Sequence, residues 1–217
     1  YKTFNPGTIN EKRALNGLNL KLNEGDFVTV IGGNGAGKST MLNAVAGTWP
    51  VDEGQILIDN IDVTKLSEHK RATYLGRVFQ DPMTGTAATM GIEENLALAK
   101  RRGKSRLLRS GITKAEREEY KELLKILGLG LEDRLTSKVG LLSGGQRQAL
   151  TLLMATLQKP KLLLLDEHTA ALDPKTAAKV LEITDMIVNR DHLTTLMITH
   201  NMKDAIAHGN RLIMMME

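Results

Sequence analysis

A glycine-rich segment that ends in lysine and serine has the clearest chemical signature in this sequence. Its residues, with the threonine that follows, are Gly32, Gly33, Asn34, Gly35, Ala36, Gly37, Lys38, Ser39 and Thr40. Glycines allow successive backbone N–H groups to turn toward one anion, because no side chain stands in the way. A following helix, the Lys38 ammonium and the Ser39 hydroxyl would add a positive end, a charge and a metal ligand. The spacing therefore predicts a loop that binds nucleotide phosphates, with Mg²⁺ on Ser39.

Two adjacent carboxylates, Asp166 and Glu167, follow an unbroken run of leucines. Acids beside an apolar strand are unfavourable unless a cation or a hydrogen-bond donor compensates them. Mg²⁺ on Asp166 would do so, and Glu167 would then orient or deprotonate an attacking water. Ligands of parallel sheets also bind beyond the carboxyl ends of the strands. The alternative is structural, with an aspartate that caps a helix and a glutamate on the surface.

The segment Ser143, Gly144, Gly145 and Gln146 opens a predicted helix and has two interpretations. Ser143 and Gln146 have the spacing of a capping box, in which each side chain bonds the backbone of the other. Each glycine in a first helical turn, however, costs about 1 kcal/mol relative to alanine. The cost is explained if a phosphate must approach the helix start closely. We therefore expect a second phosphate-binding surface, which serves a nucleotide held by another subunit.

Short apolar runs alternate with helical patterns along most of the chain, which predicts a largely parallel sheet. The predicted strands are Asp26–Ile31, Gly76–Phe79, Lys161–Leu165, Thr194–Thr199 and Leu212–Met216 (a buried core strand rather than a copper site), with a hairpin of Gln55–Ile58 and Ile61–Val63. The predicted helices are Lys38–Gly47, Ile92–Lys100, Lys114–Leu127, Gly145–Leu157 and Pro174–Val188, the last capped by Asp173. We predict an α/β fold with a nucleotide-binding core (residues 1–80 and 158–217), a small antiparallel β part and an inserted, almost wholly helical subdomain (residues 81–157).

Composition limits the classes of function. The chain has 217 residues, no cysteine, 3% aromatic residues and a formal net charge of +4. The lack of cysteine excludes disulfides and thiolate metal sites, and the few aromatic residues argue against a surface on which nucleic-acid bases stack. No apolar run approaches the roughly 20 residues that span a bilayer. We interpret one basic cluster as a solvated loop, with lipid headgroups or an acidic partner as alternatives; its residues are Lys100, Arg101, Arg102, Lys104, Arg106 and Arg109.

Together these motifs resemble those of the nucleotide-binding subunits of ATP-binding cassette (ABC) transporters. The string Leu142-Ser143-Gly144-Gly145-Gln146, placed between a phosphate loop and an Asp-Glu pair, is highly specific to that family. The resemblance extends over nearly all 217 residues. It implies that Asp166 binds the metal and that Glu167 is the catalytic base.

The resemblance also implies roles that the residues alone do not suggest. Phe4 would stack on adenine, with Tyr1 as the alternative, and His200 would contact the γ-phosphate. Gln80 would reach Mg²⁺ and the lytic water, and would face a membrane subunit. Asp173 would belong to a loop that crosses a dimer interface. Taken alone, a histidine that ends a strand is more often a structural residue.

Two positions near the acid pair depart from the family pattern. The family often has proline after the catalytic glutamate and serine at the start of the interface loop, where this chain has His168 and Ala170. Neither change removes a phosphate or metal ligand, so we expect hydrolysis to persist and interface coupling to differ. The string from Asp166 to Asp173 resembles that of ATPases in amino-acid importers, with aromatic cargoes such as tryptophan as candidates.

The resemblance implies an ATPase that binds MgATP and works as a head-to-tail dimer with a second copy of itself. Each ATP would lie between Gly32–Thr40 of one copy and Ser143–Gln146 of the other. Transmembrane permease subunits, and a substrate-binding protein for import, would be its partners at the cytoplasmic face of the membrane, without nucleic acid. Import is preferred because exporters more often fuse the cassette to membrane helices. The alternatives are a soluble cassette ATPase of DNA repair or translation, and a nucleotide switch that does not hydrolyse.

Overall fold

The chain folds into a parallel β-sheet with helices on both faces and short antiparallel strand pairs. The computed structural model describes residues 1–104 and 111–216. In chain order the strands are β1 (Lys2–Phe4), β2 (Lys12–Leu15), β3 (Phe27–Gly32), β4 (Leu57–Ile58), β5 (Ile61–Asp62), β6 (Leu75–Val78), β7 (Leu162–Asp166), β8 (Thr195–Ile198) and β9 (Arg211–Met215). The helices are α1 (Lys38–Ala46), α2 (Glu68–Arg71), α3 (Ile92–Lys100), α4 (Lys114–Lys125), α5 (Gly144–Thr156), α6 (Pro174–Asp191) and α7 (Met202–Ala207).

The strand order of the parallel sheet is β6-β7-β8-β3-β9. Strand β7 has no polar face because both of its faces are covered. Leu163 and Leu165 pack in the cluster that includes α3, α5 and α6, and Leu164 packs on the opposite side, where α1 lies. The α/β fold is confirmed, and each predicted strand of this sheet forms within one residue of its predicted ends. The predicted hairpin is present as β4 and β5, with Asp59 and Asn60 both at positive φ.

The region between β6 and β7 is less helical than predicted. Helices α3, α4 and α5 form, but residues 81–91 and 126–143 are turns and short 3₁₀ segments. The side chain of Asn95 bonds the backbone N–H and C=O of Ala87 and the C=O of Gly91, so part of this loop's backbone is hydrogen-bonded without a helix. The division of the chain at residues 81 and 157 stays a prediction. Within the described ranges, no helix is long and apolar enough to cross a membrane.

Strand β9 lies at the edge of the sheet, and the prediction of a buried core strand was wrong about its burial. Leu212 and Met214 are 45% and 63% exposed. Ile213 and Met215 alternate with them and pack against the cluster on the α1 side. The difference arises because β9 pairs with β3 and, among the residues described, no element covers its outer face. Apolar composition alone did not distinguish an edge strand from a central one.

Three of the four described residues of the basic cluster differ from the predicted solvated loop, and the fourth, Lys104, is exposed. Lys100 and Arg101 form ion pairs with glutamates of α4. Arg102 donates a hydrogen bond to a backbone carbonyl of α5 at 3.3 Å. These cations therefore dock the end of α3 onto its neighbours. Arg106 and Arg109 lie outside the described residues.

The carboxyl end of α1 is held by a buried arginine that the sequence analysis did not identify. The Arg71 guanidinium donates to the carbonyls of Ala44 and Val45 at 2.6 and 2.9 Å, and also to those of Leu66 and Thr64. The last carbonyls of a helix lack partners within the helix, and a cation there also favours the helix dipole. Arg71 thus fixes the helix that follows the phosphate loop.

Candidate active site

The predicted phosphate loop connects β3 to α1. Lys38 is buried, and its Nζ donates to the carbonyls of Gly32 and Gly33 at 2.8 Å each. Helix α1 begins after Gly37, and no side chain caps its first N–H groups. These N–H groups lack partners within the helix, so together with the ammonium they can receive an anion.

Two glycines of this loop are required by the surrounding backbone. Gly32 has φ +154°, and a Cβ there would lie 2.3 Å from the carbonyl oxygen of Met215. Gly37 has φ +88°, and a Cβ there would lie 2.4 Å from the carbonyl oxygen of Ala14. By contrast, a Cβ on Gly33 would meet nothing within 4 Å. The loop is therefore held in shape by β2 and β9 at particular positions.

An open cavity of 230 Å³ brings most of the predicted nucleotide-binding residues together. It is lined by Phe4, Lys12, Ala14, Asn34, Gly35, Gly37, Lys38, Ser39, Thr40, Glu167 and His200. Residues far apart in sequence thus meet beside the amino end of α1. Gln80, Asp166, Asp173 and the segment Ser143–Gln146 are not among the lining residues.

Phe4 lies at this cavity, and the alternative Tyr1 does not line it. The Phe4 ring packs edge-to-face on Trp49, with ring centroids 5.0 Å apart. Lys12 is the cross-strand partner of Phe4 and lines the same cavity. The sequence analysis missed Lys12, which lines the cavity, and Trp49, which packs behind it on Phe4, because neither belongs to a motif and both are placed by tertiary packing.

Glu167 and His200 form the closest pair of titratable groups at the cavity. The His200 Nε2 lies 2.7 Å from the Glu167 Oε1. Glu167 has φ +46°, a left-handed conformation that is uncommon for a residue with a side chain. Its N–H donates to the Ile198 carbonyl of β8 at 3.0 Å, which anchors the turn. Strained backbone of this kind often occurs at functional sites.

Asp166 ends β7 and accepts a hydrogen bond from Arg77 of β6 at 3.3 Å. With the Ser39 hydroxyl it provides the hard oxygen donors that Mg²⁺ prefers. Within the described ranges, no three His, Cys, Asp or Glu side chains converge on one metal position. One carboxylate and one hydroxyl are donors of the kind that suits Mg²⁺, which proteins usually hold through one or two carboxylates together with substrate phosphates and water.

The segment Ser143–Gln146 begins α5 as a capping box. The Ser143 hydroxyl accepts from the Gln146 N–H at 3.3 Å, and the Gln146 Oε1 accepts from the Ser143 N–H at 3.2 Å. Ser143 and Gly144 are exposed, whereas Gly145 is buried against α6. A Cβ on Gly145 would lie 2.1 Å from Thr176 Cγ2. Packing within the chain thus favours glycine here independently of any ligand, because with a Cβ the Thr176 side chain would have to move.

Asp173 and Gln80 are both exposed. Asp173 caps α6 by accepting from the Thr176 N–H at 3.1 Å. Hydrogen bonding by the Thr176 side chain, and then by the Thr176 N–H, lowers the pKa of Asp173. Gln80 follows β6, and the preceding carbonyl, that of Phe79, accepts from the Gln148 side chain of α5 at 2.8 Å. Helix α5 therefore contacts the segments that carry both residues.

The two departures from the family pattern lie between Glu167 and α6. His168 is fully buried, and its Nε2 lies 3.1 Å from the Thr184 hydroxyl. That hydroxyl donates to the Val180 carbonyl, so the histidine nitrogen is the donor in their contact. Burial, and then the charge of His208, lowers the pKa of His168 to about 4. Ala170 is exposed, and its N–H bonds the Glu167 carbonyl at 2.9 Å.

A family model described as ABC transporter matches residues 15–170. The chain belongs to the ABC transporter family. It is 47% identical over 210 residues to a tyrosine transport ATP-binding protein of Clostridioides difficile, covering 97% of this chain and 81% of that protein. It is 38% identical over 194 residues to a methionine import ATP-binding protein of Rhizobium etli, covering 88% of this chain and 51% of that protein. The chain thus spans about half the length of the methionine relative.

The solved structures of ABC cassettes agree with the fold. A dimeric cassette in a post-hydrolysis state, bound to ADP and Pi, superposes with a TM-score of 0.81 at 32% identity. The match covers 99% of this chain and 90% of that chain. A nucleotide-free ABC cassette superposes with a TM-score of 0.75 at 27% identity, covering 94% of this chain and 81% of that chain. The protein is therefore an ABC ATPase subunit that binds ATP.

Proposed function

We propose that this ABC subunit hydrolyses MgATP at a head-to-tail dimer interface and powers import through separate membrane subunits. The observation that carries the proposal is the single cavity in which the phosphate loop, Phe4, Glu167 and His200 meet. This cavity supplies anion donors, an aromatic ring and a carboxylate–histidine pair. These are the groups that phosphoryl transfer to water requires.

Each residue of the cavity has a distinct proposed role. Phe4 stacks on adenine, and Lys38 with the loop N–H groups of residues 32–40 binds the β- and γ-phosphates. Glu167 orients the attacking water and accepts its proton, and His200 holds Glu167 and contacts the γ-phosphate. Ser39 and Asp166, assisted by Gln80, hold Mg²⁺, which when bound neutralises charge on the phosphates.

The proposed dimer would bring to the cavity an anion-binding surface that, within one chain, lies outside it. Ser143, Gly144 and Asp173 are exposed and do not line the cavity, although Ser143 caps a helix whose amino end favours an anion. In a head-to-tail pair, this surface of one copy meets the γ-phosphate that the other copy binds. ATP then closes the dimer, and loss of the γ-phosphate reopens it.

The proposed partners are permease subunits at the cytoplasmic face of the membrane and a separate substrate-binding protein. Amino acids are the proposed cargo class, with aromatic ones first. The names of the tyrosine transport and methionine import relatives support this choice, as does the string from Asp166 to Asp173. Uptake of labelled tyrosine, tryptophan and methionine by vesicles carrying the assembled transporter would distinguish among these cargoes.

The variant Glu167→Gln tests the proposed chemistry. It keeps the size of the side chain but cannot accept a proton, so we expect ATP binding to persist, phosphate release to stop and a dimer to accumulate with MgATP. Light scattering after gel filtration measures the dimer, and Glu24→Gln, an exposed acid away from the cavity, is the matched control. A Glu167→Gln protein that stayed monomeric at saturating MgATP would overturn the sandwich, and unchanged turnover would overturn the role of Glu167.

A further inference from the structure

Arg77 is an arginine of the sheet that contacts the proposed metal site and that no motif predicted. Its Nη2 lies 3.3 Å from the Asp166 Oδ2 and donates to the Asn43 Oδ1 at 2.8 Å. The guanidinium carbon lies 4.6 Å from the centre of the Phe79 ring. The contact with Asp166 arises from strand register: Arg77 pairs with Leu164 across the parallel ladder, and Asp166 is two residues further on the same face.

The hydrogen bonds continue from Arg77 to the phosphate loop. Asn43 lies on α1, and its Nδ2 donates to the Ser39 carbonyl at 2.8 Å. A chain of polar contacts therefore runs from the Asp166 carboxylate through Arg77 and Asn43 to Ser39. The two residues proposed to bind the metal lie at its ends, and Ser39 takes part through its backbone carbonyl.

The Arg77 guanidinium places one positive charge at Asp166, and Mg²⁺ bound to the same carboxylate would add a second. The side chains of Arg77 and Asp166 are only 14% and 18% exposed, so their charges are weakly screened. Mg²⁺ on the same carboxylate would meet the guanidinium at short range. Because like charges repel strongly where water is scarce, ion pairing with Arg77 and metal binding oppose each other at this acid.

Resting on the proposed function, we propose that Arg77 is a positioning residue that competes with Mg²⁺ for the Asp166 carboxylate. Arg77 holds the acid in place beside α1 and gives it up when the carboxylate binds the metal. Competition of this kind is reciprocal, because the free energy of the Arg77–Asp166 ion pair is subtracted from the binding free energy of the metal. Removing the guanidinium charge should therefore tighten metal binding, whereas removing a residue that only supports a metal ligand weakens it.

The test compares ADP affinity in EDTA and in excess Mg²⁺, measured by calorimetry. The dissociation constant in EDTA divided by that in Mg²⁺ reports how strongly the metal contributes to ADP binding. This ratio does not depend on hydrolysis. We expect Arg77→Gln to increase this ratio about tenfold. Arg77→Met, which keeps an apolar contact with Phe79, should do the same. Arg190→Gln, which removes a surface arginine paired with Asp191, is the matched control and should leave the ratio unchanged.

The background variant Asp166→Asn shows whether the effect passes through this carboxylate. In that background, Arg77→Gln should leave the ratio unchanged, because the carboxylate for which Arg77 and the metal compete is gone. An unchanged ratio in Arg77→Gln itself, or a fall of about 10–100-fold as expected for a supporting partner of a metal ligand, would overturn the proposal. So would an equal increase in the Asp166→Asn background.

Urea unfolding in EDTA provides a second readout that does not depend on nucleotide. Arg77→Gln should lower the unfolding midpoint more in the natural background than in Asp166→Asn, because only the former retains the ion pair. Equal shifts in both backgrounds would contradict the pairing. Absence of ADP binding by the unmodified protein in both buffers would instead count against the proposed function, and this cycle would still test Arg77.

Discussion

At Gly37 the backbone of the neighbouring strand dictates the residue type. We expect Gly37→Ala to lower the free energy of unfolding by about 1–3 kcal/mol, because the left-handed conformation and the Ala14 carbonyl both oppose a Cβ. Its ADP affinity should fall in parallel. Gly33→Ala, whose Cβ would meet no atom of the chain within 4 Å, is the matched control and should change the free energy of unfolding by less than about 0.5 kcal/mol.

The fluorescence of Trp49 measures this difference. It is the only tryptophan of the chain and packs on Phe4 at the cavity. Urea unfolding of the two alanine variants, followed by this fluorescence, gives both free energies of unfolding. Equal free energies of unfolding for Gly33→Ala and Gly37→Ala would contradict the steric argument.

Individual residues could be predicted from sequence when type and spacing alone define the chemistry. The loop from Gly32 to Ser39 and the pair Asp166–Glu167 belong to this class. Phe4 and His200 needed the family resemblance, because one aromatic ring or one histidine has no spacing to interpret. Arg77, Arg71 and Lys12 were missed, since their partners lie far away in the sequence and only strand register or helix packing brings them together.

At the scale of elements, Gly145 lies where the first turn of α5 packs against the first turn of α6. We expect Gly145→Ala to destabilise the fold, because its Cβ would collide with Thr176 Cγ2 at the first turn of α6. Adding Thr176→Ser removes that methyl group, while the Thr176 backbone N–H that bonds Asp173 stays. The double variant should therefore regain most of the lost stability, as measured by urea unfolding.

The same pair of variants separates packing from ligand approach. If the glycine is also needed for a phosphate of the partner copy, the double variant, in a Glu167→Gln background, will be stable yet fail to dimerise with MgATP. If packing is the whole reason, dimerisation will return with stability. A Thr176→Ser protein alone is the control, and no recovery of stability in the double variant would refute the collision.

Helix α4 carries an alkaline-sensitive group. Tyr120 is fully buried, and burial, reinforced by the charge of Glu116, raises its pKa to about 12. The unfolded chain releases this proton near pH 10 and the folded chain only near pH 12, so stability falls as pH rises between the two values. We expect Tyr120→Phe to show a smaller loss of unfolding free energy from pH 9 to pH 11. An identical loss in both proteins would show that this phenol does not contribute.

Elements were predictable where burial enforces a simple pattern. Strand β7, covered on both faces, has an uninterrupted apolar run, and α6 has a proline and a capping aspartate at its start. The loop at residues 81–91 was predicted as helical, but part of its backbone bonds the side chain of Asn95 and part bonds residues 139 and 140, and local composition does not reveal such contacts. The exposure of β9 depends on its neighbours in the sheet, which its own residues do not encode.

At the scale of the whole molecule, mixing two inactive variants tests the head-to-tail arrangement. Lys38→Ala removes the loop cation, and Ser143→Arg blocks the opposite surface. Each variant alone should not hydrolyse ATP, because both sites of its dimer are damaged. A mixed dimer contains one site with both defects and one intact site. We therefore expect hydrolysis to reappear on mixing, to at most about half of the unmodified rate per dimer.

Phosphate release at increasing ratios of the two variants provides the measurement. Lys38→Ala alone, at the total protein concentration of the mixture, is the control for concentration effects. If nucleotide were enclosed by a single chain, mixing would restore nothing. Activity of Ser143→Arg alone equal to that of the unmodified protein would likewise exclude a role for this surface.

The buried contact between His168 and Thr184 has an evolutionary consequence. A proline at position 168 would leave the Thr184 hydroxyl facing space once filled by an imidazole, with a hydrogen bond lost. Threonine at position 184 and histidine at position 168 should thus be inherited together. Lineages in which proline replaced the histidine should have acquired a bulkier or apolar neighbour in α6, leaving a paired trace of that exchange in their descendants.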